Sequence, residues 1–293
     1  MSQRHKLTGL AFVAVLLMLG IAQAWIDAVD AQGRSGAVAP RFEVDPFWPK
    51  PLPNHWILGN VIGVWADQRD QVWIVHRGSD TLANNEKGLD LKSADCCAGA
   101  PPVLAFDAQG NLVRSWGGPG PGYDWPASNH GIFIDHLGNV WIGGNGPGDS
   151  HIVKFTQDGK FIAQFGRSGQ NKGSNDPENF GRPAKIFVDP RENEAYIADG
   201  YLNKRVVVID ADTGKFKRYW GAYGNKPDDA ALGNYDPSAP PAQQFRTPVH
   251  CADLSNDGLV YVCDRPNDRI QVFKPDGTFV KEVFVARKTL GDG

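Results

Sequence analysis

From residue 56 onward, apolar and polar positions alternate in short runs, and the runs recur in a fixed order. A first pair of runs, separated by a turn, reads VIGVWADQRDQVWIVHRG from Val61, GIFIDHLGNVWIGGN from Gly131, AKIFVDPRENEAYIADG from Ala184 and HCADLSNDGLVYVCDR from His250. A second pair follows each: VLAFDAQGNLVRSWGG, IVKFTQDGKFIAQFG, VVVIDADTGKFKRYWG and IQVFKPDGTFVKEVF. A period of two carried by Val, Ile, Phe, Tyr and Trp marks half-buried strands, and the Asp-x-x-Gly and Asp-Gly turns supply residues that tolerate positive φ. No helical period appears after the N-terminal segment. The pattern predicts an all-β chain of four-stranded units, over about residues 61–118, 129–166, 182–221 and 247–284. A repeated four-strand unit is one blade of a β-propeller, whereas a sandwich does not call for such a repeat.

Two segments precede the repeats. Arg4, His5 and Lys6 lead into an apolar run from Leu7 to Ala22, followed by Ala22-Gln23-Ala24, a small-x-small cleavage pattern. Residues 1–24 read as an export signal; left uncleaved, the same run would tether the chain to a membrane, and either way the body lies outside the cytoplasm, secreted or periplasmic. Residues 25–55 form a leader rich in proline at Pro46, Pro49, Pro51 and Pro53, and the propeller is expected over 56–293. Export permits disulfides among the adjacent Cys96 and Cys97 and the pair Cys251 and Cys263. The last two fall on neighbouring strands of one hairpin, where a one-residue change of register decides whether they can meet. The net charge of −3, without a long basic or acidic run, argues against nucleic acid as a partner.

In a propeller the first strand of each blade lines the central channel, and the short turns collect on one face. The long segments 79–100, 117–129, 167–182 and 222–246 then lie over the opposite face, where a binding site is expected. Counting five residues back from the turn heads Asp67, Asp135, Asp189 and Ser255 gives one column: Ile62, His130, Ala184 and His250. Two imidazoles at equivalent points of the channel mouth can converge on one ion, and each can equally be a packed, hydrogen-bonded side chain. A second column at the end of the second strand holds Arg77, Asn145, Gly200 beside Tyr201, and Arg265. Paired guanidinium groups suit a small-molecule or peptide carboxylate, with Tyr201 as base or donor. Arg265 can instead bridge neighbouring blades. His55, His76, His136 and His151 lie outside the column and read as non-ligands.

Gly138-Asn139-Val140-Trp141-Ile142 and the run from Asp264 to Phe273, DRPNDRIQVF, resemble the NHL repeat. The resemblance covers about residues 56–285 and implies a six-bladed type of propeller, of which four complete blades are present. Within that class, Val75-His76-Arg77-Gly78, Asn129-His130-Gly131-Ile132, Asp199-Gly200-Tyr201-Leu202-Asn203 and Asp264-Arg265 are similar to motifs of the peptidyl-hydroxyglycine amidating lyases and their bacterial relatives. That resemblance implies His130 and His250 as zinc ligands, Arg77 and Arg265 as carboxylate contacts, and Tyr201 as catalytic base. It also implies the backbone carbonyls of Val64 and Ile132 as calcium ligands. Zinc would act on a hydroxyl oxygen while C–N cleavage releases an amide and glyoxylate. The sequence departs from the lyases where Leu202 replaces a cysteine, where Val249 stands between Pro248 and His250, and where no third histidine follows. Four repeats of a six-blade type predict an open arc with the fourth blade exposed after Phe284, a chain incomplete at its C-terminus, and a weak zinc site. A non-catalytic protein- or ligand-binding propeller uses the same fold.

Overall fold

The structure is a computed structural model that describes Met18 and residues 40–289. The export-signal reading therefore falls almost wholly outside the described residues. Contacts divide the chain into a unit over residues 1–46 and a unit over residues 47–293. Only the second has described strands.

A short strand, β1 (Trp56–Ile57), opens this unit. Blade 1 follows as β2 (Val61–Ala66), β3 (Val72–His76), β5 (Val103–Phe106) and β6 (Leu112–Trp116), with β4 (Ala98–Gly99) in the loop between β3 and β5. Blade 2 is β7 (Asn129–Ile134), β8 (Val140–Gly144), β9 (His151–Phe155) and β10 (Phe161–Gly166). Blade 3 is β11 (Lys185–Asp189), β12 (Glu194–Asp199), β13 (Arg205–Asp210) and β14 (Phe216–Trp220). Blade 4 is β15 (Val249–Leu254), β16 (Val260–Asp264), β17 (Arg269–Phe273) and β18 (Phe279–Phe284). Each blade is an antiparallel meander hydrogen-bonded in chain order, and its first strand packs against the first strand of the next blade. Among residues 40–289 there is no α-helix, only 3-10 turns. The period-two reading of the sequence and the four-blade count agree with this architecture.

The turn heads do local work that the motif encodes. Asp67 Oδ1 accepts the N–H groups of Arg69 and Gln71, and Asp135 Oδ1 accepts those of Leu137 and Asn139, closing the tight turns. Their second oxygens receive the indole N–H of Trp73 at 3.0 Å and of Trp141 at 2.9 Å. Both indoles can therefore be fully buried without leaving an unmet donor.

Three apolar layers fill the spaces between successive blades. Trp73, Val103, Ile132 and Phe155 join blades 1 and 2; Trp141, Phe165, Ile186 and Ile209 join blades 2 and 3; Tyr196, Val208, Phe245 and Val262 join blades 3 and 4. The ring is not closed, as the repeat count led one to expect. Trp48, Leu52, Trp56 and Leu58 lie on the outward face of blade 1, over Ile74, Leu104 and Phe106. At the other end Val280 and Val283 of β18 remain exposed.

Candidate functional site

The tyrosine and the two arginines follow the ends of second strands and the two histidines open axial strands, and buried polar clamps hold these places. In blade 3 the carboxylate of Asp199 accepts the N–H of Gly181 at 2.6 Å and an N–H of Arg205 at 2.8 Å, and Asn203 completes the group. In blade 4 Asp264 accepts the N–H of Arg246 at 3.0 Å and bonds Asn267 and Arg269 in the same way. Each clamp ties down the loop that leads into an axial strand. In blade 1 the position is His76, wholly buried, whose Nδ1 accepts the N–H groups of Gly59 and Gly78. Burial depresses its pKa and keeps the ring neutral, as an acceptor must be.

Blade 2 shows why its clamp sits elsewhere. Gly144 occupies the equivalent place, and a Cβ there would lie 2.4 Å from Asp149 Oδ2. Asp149 instead reaches back to accept the N–H groups of Ala127, Ser128 and Gly146, fixing the approach to His130. Gly200 serves a second close approach: a Cβ at that position would lie 2.0 Å from the carbonyl oxygen of Val249. Only glycine lets the end of blade 3 press against Val249, which brings Tyr201 alongside His250.

The result is a chain of hydrogen bonds. Tyr201 Oη lies 2.9 Å from His130 Nε2 and 3.1 Å from His250 Nε2, with the two imidazole centroids 5.2 Å apart. His130 Nδ1 is 2.7 Å from the carbonyl of Ala184, which can only accept, so Nδ1 carries the hydrogen and Nε2 presents a lone pair. Burial, then the charges of Arg77 and Arg265, push the pKa of His130 down. His250 falls further, to about 4, through burial, the neighbouring His130, Arg265 and Lys185. Both rings are neutral at pH 7 in a surrounding of positive charge.

Arg77 donates from Nη2 to Asn145 Oδ1 at 3.0 Å and weakly from Nε to the carbonyl of Asn129. The exposed Arg265 makes no side-chain hydrogen bond or ion pair among the described residues. Lys185 is paired with Asp253 at 2.8 Å. Val64, with an exposed side chain, and buried Ile132 stand on the adjacent axial strands β2 and β7. His151 is bonded to the carbonyl of Asp124, away from this cluster. Among the described residues no three or more His, Cys, Asp or Glu side chains gather as a metal site.

The cysteine pairing and the blade-linking arginine take definite form in the structure. Cys251 and Cys263 stand opposite one another and form a disulfide, the open register question being settled by an irregularity between Val249 and Cys251. Cys96 and Cys97 are bonded to each other. The residue that links elements in blade 4 is Arg269, not Arg265. Arg205 and Arg269 had a signal, the spacing of Asp, Asn and Arg in DGYLNKR and DRPNDR, and sequence reading left them out of the candidate residues.

No protein-family model matches the chain. It is 29% identical over 241 residues to the peptidylglycine alpha-amidating monooxygenase of Rattus norvegicus, which covers 79% of this chain and 22% of that protein. It is 28% identical over 246 residues to NHL repeat-containing protein 3 of Mus musculus, covering 81% of this chain and 58% of that one. This chain thus spans less than two thirds of either relative. The virginiamycin B lyase structure from Staphylococcus aureus superposes with a TM-score of 0.46 at 17% identity, over 80% of this chain and 57% of that one. The four meander blades form an open β-propeller arc, and the sequence resembles NHL-repeat proteins and the peptidyl-hydroxyglycine amidating lyases.

Proposed function

We propose that this is an exported carbon–nitrogen lyase of the amidating type, acting on an N-acyl-α-hydroxyglycine. The observation that carries the reading is the contact of one phenol oxygen with two neutral imidazole nitrogens, 2.9 and 3.1 Å away, beside two arginines. The apolar N-terminal run and the paired cysteines support export.

Two imidazoles supply part of a zinc donor set, through the same Nε2 lone pairs that meet Tyr201 Oη. The carbonyl of Ala184 holds His130 in the tautomer whose Nε2 is free, as a carbonyl orients a metal-bound histidine, and low pKa values keep both rings in the ligating form. His130 and His250 would hold the ion, which would supply Lewis acidity toward a hydroxyl oxygen. For calcium at the carbonyls of Val64 and Ile132 the structure offers no supporting acidic cluster among the described residues, and no step rests on it.

Arg77 and Arg265 hold the substrate carboxylate. Tyr201, as its phenolate, accepts the proton of the carbinol hydroxyl; the O–H electron pair becomes the second bond of the aldehyde C=O, and the C–N bond breaks with its pair on nitrogen. Return of the proton to that nitrogen yields an amide and glyoxylate, with no oxidant, reductant or water consumed.

The test is glyoxylate release from α-hydroxy-N-benzoylglycine by the purified chain, together with its zinc content. Tyr201→Phe should lose at least about 100-fold in rate while keeping the fold, and His130→Ala should lose zinc. A metal-free protein that binds carboxylates without releasing glyoxylate would instead be a binding propeller. An unchanged rate in Tyr201→Phe would remove the tyrosine from the mechanism.

A further inference from the structure

Between blades 1 and 2, on the long-loop face, lies a cavity of about 610 Å³ that shares Arg77 with the site above and reaches His130 through Asn129. Its walls are mixed, with Arg77, Asp80 and Asn129 facing an apolar part that includes Ala100, Pro119 and Trp125. Trp125 is braced from behind by Phe155 and Tyr123, with ring centroids at 5.8 and 6.4 Å, so the indole is held in place before any ligand arrives.

Asn129 supplies the second observation. Its side chain is only 5% exposed, and its Nδ2 donates to the carbonyl of His76 at 2.9 Å. That contact fixes the amide orientation, because a carbonyl can only accept. Oδ1 is then a buried acceptor with no donor among the described residues. Buried acceptors are nearly always satisfied, so an orphan beside a cavity marks a place for an incoming N–H. Arg77, whose Nε meets the Asn129 carbonyl, keeps its Nη1 hydrogens unengaged among the described residues, which leaves an edge for an anion. Asp80, an exposed lining residue, has no ion-pair partner among the described residues and disfavours a second negative charge on the ligand.

We propose that this cavity is the subsite for the acyl group of an N-acylated amino-acid carboxylate, selecting an uncharged, aromatic or bulky apolar acyl portion. The amide N–H is donated to Asn129 Oδ1, the carboxylate on the same carbon meets Arg77, and the acyl group lies against Trp125. The proposal rests on the reading of the His130, Tyr201 and His250 cluster as the place of the terminal carbinol carbon, and it adds what precedes that carbon.

Binding of N-benzoylglycine and N-acetylglycine, which differ only in the acyl group, tests it by calorimetry on the full chain. N-benzoylglycine should bind roughly tenfold more tightly or better. Trp125→Ala should bring the two affinities together while leaving N-acetylglycine nearly unchanged. Because Trp125 contributes to packing, Ala127→Trp serves as a second variant: its exposed position fills the cavity, and it should also erase the difference. Equal affinities in the unmodified chain, a preference that survives both variants, or no binding of either probe would each overturn the subsite. Glyoxylate release measured in parallel separates the two readings. Turnover without an acyl preference leaves the lyase and removes the subsite, whereas an acyl preference that depends on Trp125 without turnover leaves the subsite and removes the lyase.

Discussion

Arg265 and Arg269 are four residues apart in one blade and live in opposite conditions. Arg269 is 2% exposed, and its guanidinium meets Asp264, Tyr223, Glu282 and the carbonyl of Gln244. Arg265 is exposed, its guanidinium bonded to nothing among the described residues, and its charge falls on His130 and His250. The same division appears at Asp199 beside Tyr201 and at His76 beside Arg77: one residue locks the loop and a close neighbour faces the ligand. A buried polar group with every bond made serves stability, and one left partly unsatisfied at a cavity serves binding.

The largest expected effect comes from breaking a lock. Arg205 is wholly buried, and besides Asp199 it donates to the carbonyls of Ser174 and Asp176 at 2.9 and 2.7 Å and of Asn179 at 2.8 Å. Arg205→Ala strands the carboxylate of Asp199 and three carbonyls, and should cost about 3–5 kcal/mol in urea unfolding. Arg269→Ala should cost as much. A loss below about 1 kcal/mol in either would show that water replaces the clamp and would undo the distinction.

Blade 1 performs the same function with a neutral ring. His76→Ala removes the acceptor for two backbone N–H groups, Gly59 and Gly78, and should cost about 2 kcal/mol. His76→Asn, which can accept one of them, should recover part of that loss.

These locks also show what the sequence could and could not tell. Strands, turns and blade number follow from a period of two and from Asp-Gly turns, signals that are local in the chain. The channel column brought His130 and His250 together on paper because equivalent positions in a repeat are equivalent in space. Asp149 was invisible to the same alignment, since Gly144 holds its place and the carboxylate returns from five residues further on. The disulfide depended on an irregularity of register that no spacing reveals. The leader's seat on blade 1 follows from four apolar side chains, Trp48, Leu52, Trp56 and Leu58, scattered among prolines without a period.

A smaller effect concerns the functional side of the comparison. In the folded, metal-free chain the pKa of His250 is pushed from about 6.5 to about 4, chiefly by burial and then by the positive charges around it. Between those values the unfolded chain binds the proton and the folded chain does not, so stability is full above about pH 6.5 and falls as pH drops toward 4. Thermal unfolding in the presence of a chelator should show this decline. His250→Gln, which does not titrate, should flatten it between pH 4 and 6.5. An identical slope in the variant would assign the decline to other groups, with His130 next, since its pKa is lowered by the same causes.

The smallest effect on stability, and the sharpest contrast, belongs to Arg265→Ala. The side chain is exposed and makes no bond, so its removal should change unfolding free energy by no more than about 0.5 kcal/mol, against several for Arg269→Ala. Its removal also takes a positive charge away from two imidazoles, so the pKa values of His130 and His250 should both rise, which NMR titration of the ring protons reads directly. Affinity for N-acetylglycine should fall roughly tenfold, the worth of one charge-assisted contact at a partly exposed site. Arg265→Lys should keep the histidine pKa values low while recovering only part of the affinity, because an ammonium supplies the charge without the bidentate fork. If Arg265→Ala instead lowers the unfolding free energy by several kcal/mol and leaves both imidazole pKa values of the still-folded chain unchanged, the residue is a clamp like Arg269, and the exposed guanidinium has no part in the site.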